Sequence, residues 1–323
     1  MALNKQLIEE ARLLFERAES VLIASHVGPD GDAVCSVLGL GLALEAKGKD
    51  VQMVLSDGVP EGFEHLEGVE KIKRSGKGKS DLVVGVDCGD QERLGTSLAA
   101  QDGVDINIDH HVTNTNYGKL NLVDDDSVAA CAMLAEHLEA LGLAFSPAVV
   151  DALLTGMLTD TLGFRTSNMT PHALRIAADL LERGANIQVL YERALMRRSF
   201  EAMRYWGSGL VKLEREGKLL WSTLTREDRK ASGYVKSDDA ELINSLAATE
   251  GAGITVLFIE QDDKKHVKVS WRSRGGYDVA TLAASFGGGG HRAASGASVD
   301  GTLEEVQKRI LDASRAVLNG SKG

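Results

Sequence analysis

The chain has 323 residues, of which 43% are apolar, so it is long enough to build the cores of about two domains. Its net charge is −11 and it carries no basic stripe, which excludes the class of proteins that grip long nucleic acid. The densest basic run, from Lys71 to Lys79, contains two glycines and is typical of a solvated loop. No apolar run approaches the roughly 18 residues of a membrane span, and the polar start does not resemble a signal peptide.

The first part of the chain alternates strand-like and helix-like segments, which is the pattern of a parallel α/β domain. Apolar runs predict buried strands at 21–25, 82–86 and 104–108. Helical periodicity predicts helices at 5–17, 33–47, 129–140, 148–162 and 172–183. Gly184 is the expected C-cap of the last of these helices, and the charged amphipathic segment 189–206 predicts one further helix.

The second part of the chain predicts a smaller, mixed α/β domain. Its expected strands are 218–224, 253–260, 266–271 and 293–299, and its expected helices are 239–248, 278–286 and 303–318. We therefore expect a domain at 1–184, a helical linker at 185–206 and a second domain at 207–323.

The cysteines predict the cellular compartment. Cys35, Cys88 and Cys131 are widely spaced and form no CxxC pair, which indicates free thiols and argues against disulfides or zinc. We expect a cytoplasmic protein with no membrane partner.

Carboxylates and imidazoles stand near the ends of several apolar segments, and each alone is more often a helix cap or turn residue. The carboxyl ends of parallel strands, however, meet at one crevice, so distant residues can bind the same ions. Six candidates are too many for one tetrahedral zinc but suit two divalent cations that share a carboxylate. The oxygen-rich set favours manganese, with magnesium, cobalt or iron as alternatives. These candidates are His26, Asp30, Asp32, Asp87, His110 and Asp160.

Four segments in order resemble the motifs of the DHH phosphoesterases: 25–33, 86–87, 109–111 and 156–165. The segments 270–273 and 286–291 are similar to the substrate-binding signature of the associated DHHA1 domain, so the resemblance covers nearly the whole chain. Cys35 departs from the family, which usually has glycine there, and we interpret it as a packing variant.

The resemblance implies a two-metal mechanism. His26 and Asp30 would serve one metal, and Asp32, His110 and Asp160 the other. Asp87 would bridge the two ions, which lower the pKa of a shared water and create hydroxide for attack on phosphorus.

Two further catalytic candidates flank this set. His111 is not needed as a ligand and would donate a hydrogen bond to the phosphate or protonate the leaving oxygen. Asp109 would orient a neighbouring imidazole.

The resemblance also implies a set of substrate-binding residues. Arg272 could hold a phosphate with its planar fork, although arginines near strand ends are usually surface residues. The run of four glycines at 287–290 predicts either a flexible turn or a backbone nest for an anion, with His291 as an added donor. Arg165 is a candidate for which a structural ion pair is nearly as good an explanation. The full set is Arg165, Arg272, Ser273, Gly288, Gly289, Gly290 and His291.

The expected function is hydrolysis of short oligoribonucleotides (nanoRNA) or of 3′-phosphoadenosine 5′-phosphate (pAp), because a substrate held by both domains must be short. Alternatives within the same chemistry are cyclic or linear dinucleotide phosphodiesterases and family II pyrophosphatases, although the latter lack the glycine-rich ending. RecJ-type exonucleases are usually longer. A non-catalytic nucleotide sensor would have broken metal motifs, whereas every expected ligand is present here. The resemblance also makes a homodimer plausible.

Overall fold

The computed structural model describes residues 3–263 and 265–320, and it divides into two compact units. The first contains the described residues up to Arg197, and the second those from Arg198 onward. The predicted division into 1–184, 185–206 and 207–323 stays a prediction, and its residues 1–2, 264 and 321–323 lie outside the described residues. Among the described helices, none is long and apolar enough to cross a membrane.

The first unit is built on a parallel sheet, as predicted, and this sheet has five strands. Its strands are β1 (Ser20–Ala24), β2 (Asp50–Val54), β3 (Leu82–Val86), β4 (Ile106–Asp109) and β5 (Leu120–Val123), in the order β2-β1-β3-β4-β5. The three strands predicted from apolar runs are the buried central ones. The edge strands β2 and β5 were not predicted because they carry polar and half-exposed side chains.

Five helices of this unit were predicted to within a few residues: α1 (Lys5–Arg17), α2 (Gly31–Ala46), α3 (Ala130–His137), α4 (Pro147–Asp160) and α5 (Pro171–Glu182). Side chains cap several of their N-termini. Ser146 Oγ accepts a hydrogen bond from Val149 N at the start of α4, and Thr170 does the same for α5. Gly184 follows α5 with φ +108°, the left-handed conformation expected after a helix. Because α2 and α4 are apolar on most faces, both are buried in the core.

The prediction of one helix over 189–206 is wrong. The chain forms α6 (Ile187–Tyr191), a π-helical turn (Glu192–Met196) and a separate α7 (Phe200–Leu210). Arg197 takes an extended backbone, and Ser199 then caps a new helix by accepting a hydrogen bond from Ala202 N. The amphipathic period continues across this break, so periodicity alone did not reveal it.

The second unit contains a six-stranded mixed sheet in the order β10-β11-β9-β8-β7-β6. Its strands are β6 (Glu214–Glu216), β7 (Leu219–Leu224), β8 (Ile254–Glu260), β9 (His266–Ser273), β10 (Gly289–His291) and β11 (Ala294–Asp300). The four longer strands were predicted. Helices α8 (Arg226–Ser232), α9 (Leu242–Leu246), α10 (Val279–Ala284) and α11 (Leu303–Gly320) complete the unit together with α7.

The predicted helix at 239–248 is shorter in the structure. Ala240 and Glu241 have φ values of +49° and +66°, so the helix begins only at Leu242. The Asp238 and Asp239 carboxylates accept hydrogen bonds from these two backbone amides and form a turn. Aspartates that favour turns therefore delay the start of α9.

Candidate metal centre

The site lies where the order of the parallel strands reverses, between β1 and β3. In a sheet of order 2-1-3-4-5, the carboxyl ends of the strands at this point leave a crevice that binds ligands. His26 follows β1 there, and Asp87 follows β3 with a left-handed backbone of φ +49°. This conformation is uncommon outside glycine and clusters at functional sites.

A first group of side chains consists of His26, Asp30 and Asp87. His26 Nε2 lies 3.9 Å from Asp30 Oδ1 and 3.7 Å from Asp87 Oδ2. Its Nδ1 lies 2.9 Å from the carbonyl oxygen of Val27, and an Nδ1–H donated there leaves the Nε2 lone pair facing both carboxylates. Asp30 also caps α2, because its Oδ1 accepts a hydrogen bond from Ala33 N.

A second group consists of Asp32, His110 and Asp160. His110 Nε2 lies 3.9 Å from Asp32 Oδ2 and 3.6 Å from Asp160 Oδ2, while its Nδ1 lies 3.3 Å from the Ser127 carbonyl oxygen. Asp160 reaches the site as the last residue of α4 rather than from a strand end. Both imidazoles therefore point Nε2 at carboxylates and Nδ1 at a backbone carbonyl, the arrangement of metal-ligating histidines.

Asp87 faces both groups. Its Oδ2 is near His26, and its Oδ1 lies 3.4 Å from His110 Nε2. This Oδ1 atom is buried and accepts no well-formed hydrogen bond from the described residues. A buried carboxylate oxygen without a donor is costly, and a divalent cation held by these side chains would satisfy it. The donor set of carboxylate oxygens and imidazole nitrogens fits Mn²⁺, Mg²⁺ or a related ion.

His111 lies beside the same carboxylate. With Asp87 and His110 it forms a third group, in which His111 Nδ1 is 3.7 Å from Asp87 Oδ1. The same nitrogen is only 2.7 Å from Asp109 Oδ1, so its hydrogen bond is made to Asp109. This contact leaves His111 Nε2 available to another partner, and the expected role of His111 outside the ligand set stays a prediction.

A series of hydrogen-bonded polar side chains holds His111 in place. Asp109 is fully buried, and its Oδ2 accepts a hydrogen bond of 2.5 Å from Asn114 Nδ2. Asn114 is fixed in turn, because its Oδ1 accepts from Asn107 Nδ2 at 3.0 Å and from Asn116 N at 2.7 Å. The sequence reasoning missed Asn114, because a lone asparagine in a loop gives no periodic signal.

The pKa values of the cluster reflect crowded negative charge. Burial alone would lower the pKa of His110, but the nearby Asp87 carboxylate and the charges of Asp32 and Asp160 raise it to about 10. Burial raises the pKa of Asp160 to about 6, and burial together with the charge of Asp87 raises that of Asp32 well above its ordinary value. Without metal the cluster therefore holds protons that a divalent cation would displace.

In the second unit, Arg272 and His291 lie at the same end of the sheet. Ala294 of β11 pairs with Arg272 of β9 on one side and with His291 of β10 on the other. The guanidinium is held in place because its Nε donates to Asn244 Oδ1 and its Nη1 to the Trp271 carbonyl oxygen, both at 3.0 Å. The register thus places the two predicted substrate-binding residues level with one another, on the two strands that flank β11.

The glycine run has a structural cause at two of its positions. A Cβ on Gly288 would lie 2.2 Å from the Gly296 carbonyl oxygen, and one on Gly290 would lie 2.6 Å from that of Ala294. Both glycines therefore allow β10 to pair closely with β11. Gly289 has open space around it, and the predicted contact of this run with an anion stays a prediction.

Two other predicted substrate-binding residues make local contacts. Ser273 Oγ donates to the Tyr277 carbonyl oxygen at 2.7 Å, which holds the loop after β9. Arg165 Nε donates to the Leu162 carbonyl oxygen at 2.8 Å, within the loop that follows Asp160. Each has a structural partner, and their roles toward substrate stay predictions.

All three cysteines are free, as predicted, and all are buried. Cys35 lies on α2 just past the loop that carries His26 and Asp30, and it is fully buried. Burial raises the pKa of its thiol well above the ordinary value, which disfavours the reactive thiolate.

The fold and the cluster define the first unit as a parallel α/β domain with acidic and histidine groups that could bind metal at its switch point. Family profiles agree with this description: "DHH family, N-terminal domain" matches residues 20–157, and "DHHA1 domain" matches residues 223–320. The chain belongs to the DHH phosphoesterase family, and the resemblance predicted from its motifs is confirmed.

The relatives extend over almost the whole chain. It is 34% identical over 322 residues to the bifunctional oligoribonuclease and PAP phosphatase NrnA of Thermus thermophilus, covering 96% of this chain and 95% of the relative. An exopolyphosphatase-related protein from Bacteroides fragilis has a similar fold, with a TM-score of 0.88, 24% identity and 98% of each chain covered. The exonuclease RecJ bound to manganese matches with a TM-score of 0.55 and 18% identity over 98% of this chain and 95% of that one.

Proposed function

We propose that the protein hydrolyses short oligoribonucleotides to mononucleotides and pAp to AMP, using two Mn²⁺ ions. The observation that carries this proposal is the pair of imidazoles, His26 and His110, whose Nε2 atoms both face carboxylates around Asp87. The activity named for the Thermus relative, which aligns over nearly the full length of both chains, supports the substrate class.

The ligand sets follow from the two groups of side chains. His26, Asp30 and Asp87 would hold one ion, and Asp32, His110 and Asp160 the other, with Asp87 shared. When bound, two such ions lower the pKa of a water and neutralise phosphoryl oxygens. The RecJ structure bound to manganese, which has the same fold, favours Mn²⁺ over Mg²⁺ or Co²⁺ as the first ion to test.

His111, oriented by Asp109, would donate a proton to the leaving group. Asp109 Oδ1 holds His111 Nδ1 at 2.7 Å, which turns Nε2 outward on a side chain that is one-third exposed. The hydrogen bond to Asp109, together with the charge of Asp109, favours a protonated imidazole and raises the pKa of His111. A protonated Nε2 is suited to hydrogen-bond a phosphoryl oxygen or to protonate the leaving oxygen.

Arg272 would bind a substrate phosphate from the second unit. Its guanidinium is held by Asn244 and by the Trp271 carbonyl oxygen, so its orientation is set before substrate arrives. His291, on β10 across the intervening β11, would add a donor, with the amides of Gly289 and Gly290 beside it. A cytoplasmic location and a homodimer, both expected from the sequence, remain predictions.

The proposal is tested by product analysis. Purified protein with Mn²⁺ is incubated separately with pAp, a short RNA, a linear diadenylate, cyclic di-AMP and pyrophosphate, and an Asp87→Asn preparation controls for contaminating nucleases. We expect mononucleotides from the RNA and AMP from pAp. Turnover of only the dinucleotides, or only of pyrophosphate, would replace the proposed substrate class. Binding of nucleotide and metal without any turnover would indicate a sensor.

A further inference from the structure

Gly156 lies on α4, one turn before Asp160, where the helix passes close to Asp32 and Cys131. A Cβ on Gly156 would lie 2.2 Å from Cys131 Sγ, 2.9 Å from Cys131 Cβ and 2.9 Å from Asp32 Oδ1. Side chains essentially never approach this closely, so any larger residue must displace these atoms. Glycine is therefore required here by contact rather than by backbone conformation.

The Asp32 carboxylate is held by the N-terminus of α3. Ala130 N donates to Asp32 Oδ2 at 2.6 Å, and Cys131 N donates to Asp32 Oδ1 at 3.0 Å. The first amides of a helix are favourable partners for a negative charge. Asp32 is also only 1% exposed, so its carboxylate is buried, held by two backbone donors and in close reach of any side chain at position 156.

A second close contact joins the same two helices. Gly31, next to Asp32, has no room for a side chain, since a Cβ there would lie 2.3 Å from Thr159 Oγ1. Thr159 precedes Asp160 on α4. The two glycines thus allow α2 and α4 to approach where they carry Asp32 and Asp160, which both face His110 Nε2.

We propose that Gly156 is a positioning residue for the Asp32–His110–Asp160 group. Its missing side chain keeps Asp32 within reach of an ion that Asp160 and His110 also bind. The inference rests on the proposed function, because it presumes two divalent ions. It predicts that Gly156→Ala lowers the affinity of this group for its ion and leaves the affinity of the His26–Asp30–Asp87 group unchanged.

The test is Mn²⁺ titration of the chelator-treated protein by calorimetry, with thermal unfolding measured alongside. Gly39→Ala is the matched control, because a Cβ on Gly39 would lie 2.8 Å from Leu153 Cδ2 in the packing of α2 against α4 and would touch no carboxylate. We expect two ions in the wild type and in Gly39→Ala. In Gly156→Ala we expect one ion to bind with wild-type affinity and the other to bind with an affinity lower by about tenfold or more.

Two results would overturn the inference: a folded Gly156→Ala that binds both ions with wild-type affinity, or a Gly39→Ala that loses one ion equally. A wild type that binds no Mn²⁺ would instead refute the proposed function itself. If Gly156→Ala does not fold, a double variant that combines it with Cys131→Gly removes the clash with the thiol and keeps the contact with Asp32. This double variant should still lose one ion, and recovery of both would also overturn the inference.

Discussion

Replacement of Asp109 by asparagine tests how the protein orients His111. Asp109 is fully buried and accepts hydrogen bonds from two donors, His111 Nδ1 and Asn114 Nδ2. An asparagine offers one acceptor oxygen and one donor group, so one of the two neighbours must face a donor. Asn114 cannot turn its amide without losing the hydrogen bonds that its Oδ1 accepts. The oxygen of the asparagine at position 109 therefore stays with Asn114, and its amide group faces His111 Nδ1 as a second donor.

The expected loss is about 10- to 100-fold in kcat, in line with the removal of supporting hydrogen bonds around metal sites, and corresponds to about 1.4 to 2.7 kcal/mol of transition-state stabilisation. Stability should fall by about 0.5 to 1.5 kcal/mol, because the hydrogen bond from His111 Nδ1 to residue 109 loses its acceptor. Steady-state kinetics with pAp and Mn²⁺ measure the first quantity, and urea unfolding measures the second.

Asp105→Asn is the matched control at the other end of β4. Asp105 accepts from Val83 N and Lys119 Nζ, both at 2.8 Å, and lies away from the cluster. This variant should lose some stability and keep its kcat. Wild-type turnover by Asp109→Asn would refute the orienting role. Equal losses of kcat in both variants would attribute the effect to the sheet rather than to His111.

Two further predictions concern protons and substrate affinity. Mn²⁺ binding at pH 7 should release about one proton or more, because His110 has a pKa of about 10 without metal and must lose its proton to bind an ion. Calorimetry in buffers of different ionisation enthalpy measures this release. Binding heats that do not depend on the buffer would contradict the prediction. Arg272→Ala should raise the KM for pAp by about tenfold or more with a smaller change in kcat, and Arg272→Lys should restore little because it lacks the planar fork. An unchanged KM would remove Arg272 from the substrate site.

The sequence predicted the central part of the cluster because strand ends obey a simple geometric rule. His26 and Asp87 follow apolar runs and His110 follows the end of a third, and the carboxyl ends of parallel strands meet at one edge. No such rule covers Asp160, which was a candidate because it closes an apolar segment, and that segment is a helix rather than a strand. The edge strands β2 and β5 were not predicted, because their polar side chains interrupt the apolar pattern of a buried strand.

Other features depend on contacts that no local pattern encodes. Asn114 supports Asp109 only because the loop after β4 folds back, and a lone asparagine in a loop gives no periodic signal. Gly156 looks unfavourable within a helix until its distance to Asp32 is known. The break between α6 and α7 depends on the cap at Ser199, which a continuous amphipathic pattern conceals.

The most direct test of the two-metal centre is the Mn²⁺ stoichiometry of the wild type and of Asp87→Asn, measured by elemental analysis on the same samples used for pAp hydrolysis. Asp87 faces both groups, so its neutral analogue should bind fewer than two ions and lose hydrolysis by several orders of magnitude while remaining folded. Two bound ions and near-normal turnover in Asp87→Asn would contradict the account. So would full activity of the wild type after complete removal of metal.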